Sequence, residues 1–129
     1  MRIALDTTAY VAFKQNISAV VEYIVKAERI LFSPVVLAEL MFGFRGGTKF
    51  TDNMAELNLF LDHPAVEFVR IGQVTADRYS RIAMDLKRHG SPIPTNDIWI
   101  AAQAMEHGAE LITLDSHFEK ISGLVYTMF

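Results

Sequence analysis

Short apolar stretches alternate with longer mixed stretches along this chain, and this alternation constrains the fold more than any other feature. The apolar stretches are "RIALD" (2–6), "RILF" (29–32), "VEFVRI" (66–71), "ELITL" (110–114) and "GLVY" (123–126). Strands that are apolar on both faces are typical of a parallel sheet covered by helices on both sides. We therefore predict one three-layer α/β/α domain over residues 1–129, with a central, mostly parallel sheet of about five strands.

The segments between the predicted strands favour helices. The predicted helices cover residues 7–14, 17–28, 34 to about 45, 51–63, 73–89 and 96–107. Ser33 and Pro34 suit the N-cap and the first position of the third helix, because a serine oxygen accepts a free N–H and proline has none to satisfy. Glycines follow the third, fifth and sixth helices and indicate where they end.

The composition excludes several classes of protein. The chain has no cysteine, which excludes disulfides, thiol nucleophiles and cysteine-bound zinc. Its formal net charge of −3 argues against a generally basic nucleic-acid binder, so any RNA contact needs a local basic patch. No apolar run approaches the ~20 residues of a membrane span. The opening stretch "MRIALDTTAY" does not resemble a secretory signal, because an acid interrupts it. We expect a cytoplasmic protein that does not enter a membrane.

Four carboxylates that are far apart in sequence are predicted to meet at one edge of the sheet. In a parallel α/β sheet, the carboxyl ends of strands and the amino ends of helices lie at the same edge. Asp6 ends the first strand and Asp115 follows the fourth. Glu39 lies in the early turns of the third helix, and Asp97 opens the sixth.

Three of these acids have structural alternatives. Asp6 suits an N-cap, Asp97 suits the positive end of a helix dipole, and Asp115 suits a turn. However, the stretch "SHFE" (116–119) resembles a capping box with Ser116 as the cap and Glu119 reaching back. That interpretation makes Asp115 less necessary as a cap.

Glu39 is the hardest acid to explain by structure alone. Its helical neighbours are Val35, Val36, Phe42 and Gly43, so it lies on an apolar stripe where an unpaired carboxylate is costly. An arginine partner, or a place at the edge of the stripe, is the structural alternative. Together with the other three acids, Glu39 favours a bound cation.

The kind of cation follows from the donor atoms. Carboxylate oxygens suit Mg²⁺ or Mn²⁺, and the histidines show no zinc spacing. No GxSxG motif is present. The glycine-rich stretch "GFRGGTK" (43–49) follows a helix and lacks the order of a phosphate-binding loop.

Four stretches carry a resemblance to a known family. They are "LDTTAY", "SPVVLAELMFG", "PTNDIWIAAQAMEHGAELITLD" and the closing "GLVY". Their order and spacing resemble the PIN domain, and most closely the VapC toxins of toxin–antitoxin pairs. The resemblance implies a Mg²⁺- or Mn²⁺-dependent endoribonuclease that is usually a homodimer and is neutralised by a small antitoxin protein.

The resemblance also assigns roles by position. It implies that Asp6, Glu39, Asp97 and Asp115 form the acidic quartet of the family and that Thr8 orders the site by hydrogen bonding. We expect Asp6 and Asp97 to bind the metal directly. Glu39 and Asp115 are expected to complete the metal site, directly or through water, or to orient the attacking water.

Substrate and partner contacts are less clearly marked. Arg45 and Lys49 lie in a loop beyond Glu39, and Asn96 precedes Asp97, so these three are candidate RNA contacts. A solvated loop is the favoured alternative for the first two. Five apolar residues exceed what a small domain easily buries and predict a dimer face or an antitoxin groove: Phe42, Phe44, Phe50, Leu57 and Phe60.

Two other functions stay open at the level of sequence. One is a PIN-like nuclease of RNA processing that has no antitoxin. The other is a receiver-like signalling module that binds Mg²⁺ at an acidic edge. A receiver needs a second acid beside the one on the first strand and a lysine after the last strand. Here Asp6 stands alone and the last predicted strand is followed by "TMF".

Overall fold

Five short strands form the centre of the protein in the computed structural model, which describes residues 1–129. The strands are β1 (Arg2–Leu5), β2 (Arg29–Phe32), β3 (Val66–Phe68), β4 (Glu110–Thr113) and β5 (Tyr126–Met128). They lie in the order β3-β2-β1-β4-β5, and every neighbouring pair is parallel. The predicted parallel α/β fold is confirmed.

Six α-helices cover the sheet. They are α1 (Thr7–Lys14), α2 (Ser18–Val25), α3 (Pro34–Gly46), α4 (Phe50–Leu61), α5 (Gln73–Arg88) and α6 (Thr95–Glu106). A short 3₁₀ helix spans Ser116–Lys120. Ser33 caps α3 by accepting a hydrogen bond from the Val35 N–H at 3.0 Å. None of the helices combines the length and the apolar character that a membrane span requires.

The alternation of side chains along the strands explains the two helical layers. Ile3 and Leu5 of β1 pack with α1 and α2, whereas Ala4 packs in a larger cluster with α3, α5 and α6. Successive strand residues point to opposite faces, so an apolar strand needs cover on both sides. The order β2-β1-β4 brings the carboxyl ends of β1 and β4 side by side, and both ends carry predicted site residues.

The last strand was placed wrongly from the sequence. The apolar stretch 123–126 predicts β5, but the strand begins at Tyr126. Gly123 has a φ of +80° and lies in the turn that leads into the strand. Leu124 is buried, yet β5 pairs with β4 only from Tyr126, opposite Leu111. Hydrophobicity marked a core residue of the approach and not the paired backbone.

Several predicted element ends also shift. β3 is shorter than residues 66–71, and α2 is shorter than residues 17–28.

The surplus of apolar surface predicted between residues 42 and 60 is wrong for Leu57, which is fully buried. Phe60 packs against Tyr10 and Phe32 in edge-to-face contacts. Of the five residues predicted to form that surplus, only Phe42 is strongly exposed, at 82% of its surface.

Candidate active site

Asp6 lies at the junction of β1 and α1 and is buried, with 3% of its surface exposed. It is the N-cap of α1, and its Oδ1 accepts a hydrogen bond from the Ala9 N–H at 2.8 Å. The hydroxyl of Thr8 lies 2.7 Å from the same oxygen, and the Thr113 hydroxyl donates to Oδ2 at 2.5 Å. The capping alternative is therefore correct for Asp6, and it leaves open a second role.

Burial raises the pKa of Asp6, while the hydrogen bonds from Thr113, Ala9 and Thr8 act against this rise. The charge of Asp115 adds a smaller upward shift. The negative charge of Asp115 therefore acts on Asp6 at this edge of the sheet, although the two residues follow different strands.

Two threonine hydroxyls tie Asp6 to the end of β4. The Leu114 N–H donates to the Thr8 oxygen, and the Asp115 N–H donates to the Thr113 oxygen, each at 2.9 Å. Each hydroxyl accepts from the backbone after β4 and lies within hydrogen-bonding distance of Asp6. The structure thus places Thr8 on Asp6, and it adds Thr113, which sequence reasoning missed. The only signal for Thr113 was a polar residue that follows the apolar pair Leu111 and Ile112 at the end of β4.

Asp97 lies in the first turn of α6, and 13% of its side chain is exposed. Its Oδ2 is 3.0 Å from Nδ1 of His117. Burial raises the pKa of Asp97, and the charges of Asp115 and Glu39 raise it further, while His117 opposes these effects. The carboxylates of Asp115 and Glu39 are thus close enough to Asp97 to act on its pKa.

Asp115 is the N-cap of the 3₁₀ helix and accepts a hydrogen bond from the His117 N–H at 2.9 Å. The predicted capping box with Ser116 as the cap is wrong. The helix begins at Ser116, and the carboxylate one residue earlier reaches the free N–H. His117 Nδ1 also lies 3.1 Å from Asp115 Oδ1.

Glu39 lies in the second turn of α3 and is partly exposed. Its Oε1 accepts a hydrogen bond from the Thr7 hydroxyl at 2.6 Å, and its Oε2 lies 3.5 Å from the Asn96 amide nitrogen. The alternative of an arginine partner is wrong, because Glu39 makes no ion pair with any basic residue. Thr7 is a second residue that sequence reasoning missed.

One group of side chains has the spacing of metal ligands. Asp97, Asp115 and His117 each offer a ligand atom, and these atoms lie within 4.8 Å of one another. Carboxylate oxygens are the donors that Mg²⁺ and Mn²⁺ prefer, so the residues present fit a divalent cation.

The comparison with protein families decides the assignment of the chain. The model of the PIN domain matches residues 3–124. The chain belongs to the PIN-domain family.

Curated relatives of this PIN domain carry ribonuclease names. It is 30% identical over 105 residues to Ribonuclease VapC2 of Rickettsia felis, which covers 81% of this chain and 77% of the relative. It is 28% identical over 125 residues to Ribonuclease VapC1 of Haemophilus influenzae strain R2866, covering 93% and 92%. The crystal structure of VapBC2 from Rickettsia felis bound to a promoter DNA fragment contains a similar chain, with 27% identity and a TM-score of 0.87. That similarity covers 100% of this chain and 99% of the other.

The candidate RNA contacts of this PIN domain separate into two groups. Asn96 lies at the acidic edge, beside Glu39. Arg45 lies about 9 Å further along the axis of α3 than Glu39, as judged from the helical rise per residue. Its guanidinium stacks on the Phe50 ring, 4.3 Å from the ring centre. Lys49 is exposed just before α4. Asn96 therefore lies at the acidic edge, whereas Arg45 lies in the last turn of α3 and Lys49 follows that helix.

Proposed function

We propose that residues 1–129 form one PIN-domain nuclease that hydrolyses RNA internally, depends on Mg²⁺ or Mn²⁺, and is the toxin of a toxin–antitoxin pair. The observation that supports this proposal is that Asp97 and Asp115 offer ligand atoms within 4.8 Å of each other. The charge of Glu39 acts on Asp97, and the charge of Asp115 acts on Asp6. The names of the curated relatives support ribonuclease activity. A cytoplasmic location is part of the proposal, because the substrate is RNA. The family assignment sets aside the receiver-like module.

Each residue has a defined task in this proposal. Asp6 and Asp97 hold the cation, and Asp115 and Glu39 complete the site or orient the attacking water. Thr8 and Thr113 keep the Asp6 carboxylate in one orientation. When bound, a divalent cation lowers the pKa of water and stabilises the negative charge that develops on a phosphate group. Asn96, beside Glu39, is the best-placed candidate for a contact with RNA, ahead of Arg45 and Lys49.

The direct test is cleavage of total cellular RNA by the purified protein, with cut ends mapped by sequencing. We expect cleavage with Mg²⁺ or Mn²⁺ and none with EDTA. Asp97→Asn should lose most activity, whereas the control Glu119→Gln changes an exposed acid outside the site and should keep it. Full activity in chelator, or a near-normal rate for Asp97→Asn after contaminating nuclease is excluded, would refute the metal mechanism.

The proposed partners are a small antitoxin and a second copy of the chain. Similar chains have been solved as VapBC complexes. Apolar surface also supports a partner: Phe42 is exposed, and a surface cavity of about 380 Å³ between α1, α2 and α4 has nine hydrophobic residues among the twelve that line it. Co-purification with the product of the adjacent small gene tests the antitoxin, and light scattering tests the homodimer. Absence of such a gene product would instead favour a nuclease of RNA processing.

A further inference from the structure

His117 occupies a fixed position between two of the site acids. It lies in the 3₁₀ helix, which is anchored by the fully buried ring of Phe118 and capped by Asp115. The turn directs the imidazole back over the edge of the sheet. Its Nδ1 is 3.0 Å from Asp97 Oδ2 and 3.1 Å from Asp115 Oδ1.

In this position a single imidazole nitrogen lies within hydrogen-bonding distance of two carboxylates. One N–H forms only one well-directed hydrogen bond, so a hydrogen on Nδ1 leaves the other carboxylate without that donor. The two carboxylates, whose ligand atoms lie within 4.8 Å of each other, then still repel each other. A cation among the three atoms would interact favourably with both carboxylates at once.

The distances also suit a ligand. Two ligands at right angles on an ion with bonds of about 2.1 Å lie about 3.0 Å apart. The separations of 3.0 Å and 3.1 Å from Nδ1 to the two oxygens match that spacing. The tautomer with its hydrogen on Nε2 presents a lone pair on Nδ1.

We propose that His117 is a ligand of the cation through Nδ1 and that it makes this site prefer Mn²⁺ to Mg²⁺. The inference rests on the proposed function and adds the identity of a ligand and the preference for a metal. Mg²⁺ strongly prefers oxygen ligands, whereas transition metals accept imidazole nitrogen. A purely carboxylate site has less basis for discriminating between the two ions.

The experiment uses Mn²⁺ as the probe and reads the nitrogen directly. Electron spin echo envelope modulation of the Mn²⁺-loaded protein detects a bound ¹⁴N nucleus without any assay of activity. Calorimetry gives the affinities for Mn²⁺ and Mg²⁺ separately. The variant is His117→Asn, because the asparagine amide nitrogen occupies nearly the position of Nδ1 and can still donate to the carboxylates. The control is His89→Asn, which changes an exposed histidine that also lies beside an aspartate, Asp85.

The expected result is nitrogen modulation in the wild type and in His89→Asn, and its loss in His117→Asn. The affinity of His117→Asn for Mn²⁺ should fall by about tenfold or more, with a smaller change for Mg²⁺. Mn²⁺ binding without nitrogen modulation in the wild type would overturn the inference and leave the nuclease proposal standing. Modulation that persists in His117→Asn would also overturn it. Failure of the wild type both to bind either ion and to cleave RNA would overturn the nuclease proposal together with this inference.

Discussion

Asp6 and Asp97 lie at the same edge of the sheet, and burial raises the pKa of both, but the groups that surround them differ. Asp6 is almost completely buried and is surrounded by the Ala9 N–H and the hydroxyls of Thr8 and Thr113. Asp97 has His117 as its hydrogen-bond partner, and the charges of Asp115 and Glu39 act on it. The fold supplies donors to the first acid, whereas it gathers further negative charge around the second.

The difference separates structural from functional causes. A buried carboxylate with several donors contributes to the fold, because its removal leaves those donors unpaired. A carboxylate with acidic neighbours and little compensation costs the fold free energy, which is typical of functional sites. We infer that Asp6 has both roles and that Asp97 is present for function.

The largest expected effect is on stability when each acid is replaced by alanine. Asp6→Ala removes the cap of α1 and leaves the Ala9 N–H and the Thr113 hydroxyl without their acceptor. Removal of the buried carboxylate also removes the free-energy cost of its desolvation, which offsets part of this loss. We therefore expect the free energy of unfolding to fall by about 2–4 kcal/mol. Asp97→Ala should change stability by less than about 1 kcal/mol. Urea denaturation in EDTA measures both variants. Asp6→Asn is the control, because it keeps an acceptor for Ala9. Equal losses for the two alanine variants would remove the distinction.

The next effect tests the donors to Asp6. Thr113→Val keeps the shape of the side chain but removes one of the two hydroxyl donors of Asp6 Oδ2, the other being Thr8 at 2.9 Å. It also leaves the Asp115 N–H without its acceptor, so we expect a loss of about 2 kcal/mol. Thr113→Ser keeps the hydroxyl and should lose less, about 0.8 kcal/mol for the missing methyl group. Denaturation midpoints of the two variants and the wild type, measured in EDTA, give these losses. If valine proves no worse than serine, the hydroxyl does not hold Asp6.

A smaller effect concerns pH. Burial raises the pKa of Asp97, although its place in the first turn of α6 gives it a favourable dipole interaction of about 0.3–1 kcal/mol. Because the folded pKa lies above the unfolded value, the stability that protonated Asp97 contributes is fully present below about pH 3.9 and is lost as pH rises through the folded pKa. In EDTA, Asp97→Asn should therefore gain on the wild type between acidic and neutral pH, by on the order of 1 kcal/mol. A variant that loses ground over this range would contradict the sign.

Glu39→Gln should have the smallest effect. The glutamine oxygen still accepts from Thr7, so we expect a change within about 0.5 kcal/mol in EDTA at neutral pH. The same variant should bind Mg²⁺ more weakly and cleave RNA more slowly, because it lacks one negative charge. Chemical denaturation and calorimetry give the two quantities. A large loss of stability would identify Glu39 as a structural residue.

The sequence predicted the parts of this molecule that depend on local patterns. Alternating apolar strands and helices predicted the parallel sheet, and the sheet's geometry predicted that acids at strand ends would meet. The two threonine hydroxyls could not be predicted in the same way. Thr113 bonds to Asp6 across 107 residues of chain, and a threonine near the end of a strand has no sequence feature that indicates such a partner.

The position of β5 and the cap of the 3₁₀ helix illustrate a second limit. Hydrophobicity identified Leu124 as buried but not where backbone pairing with β4 begins. The pattern "SHFE" predicted a cap at Ser116, but the carboxylate of Asp115 is the cap and accepts the hydrogen bond from the His117 N–H. Both errors are shifts of one to three residues, and both arise because tertiary contacts select among local alternatives that the sequence leaves nearly equal.

We infer that Asp97 is present to bind a cation and not to stabilise the fold. Thermal melts of the wild type and Asp97→Asn, each in EDTA and in saturating Mn²⁺, distinguish these two roles. Ligand binding stabilises the folded state, so the wild type should gain more from Mn²⁺ than a variant with a weakened site. We predict that Asp97→Asn melts above the wild type in EDTA and below it in Mn²⁺. A variant that melts below the wild type in both conditions, with an equal response to Mn²⁺, would show that Asp97 stabilises the fold and does not bind the cation.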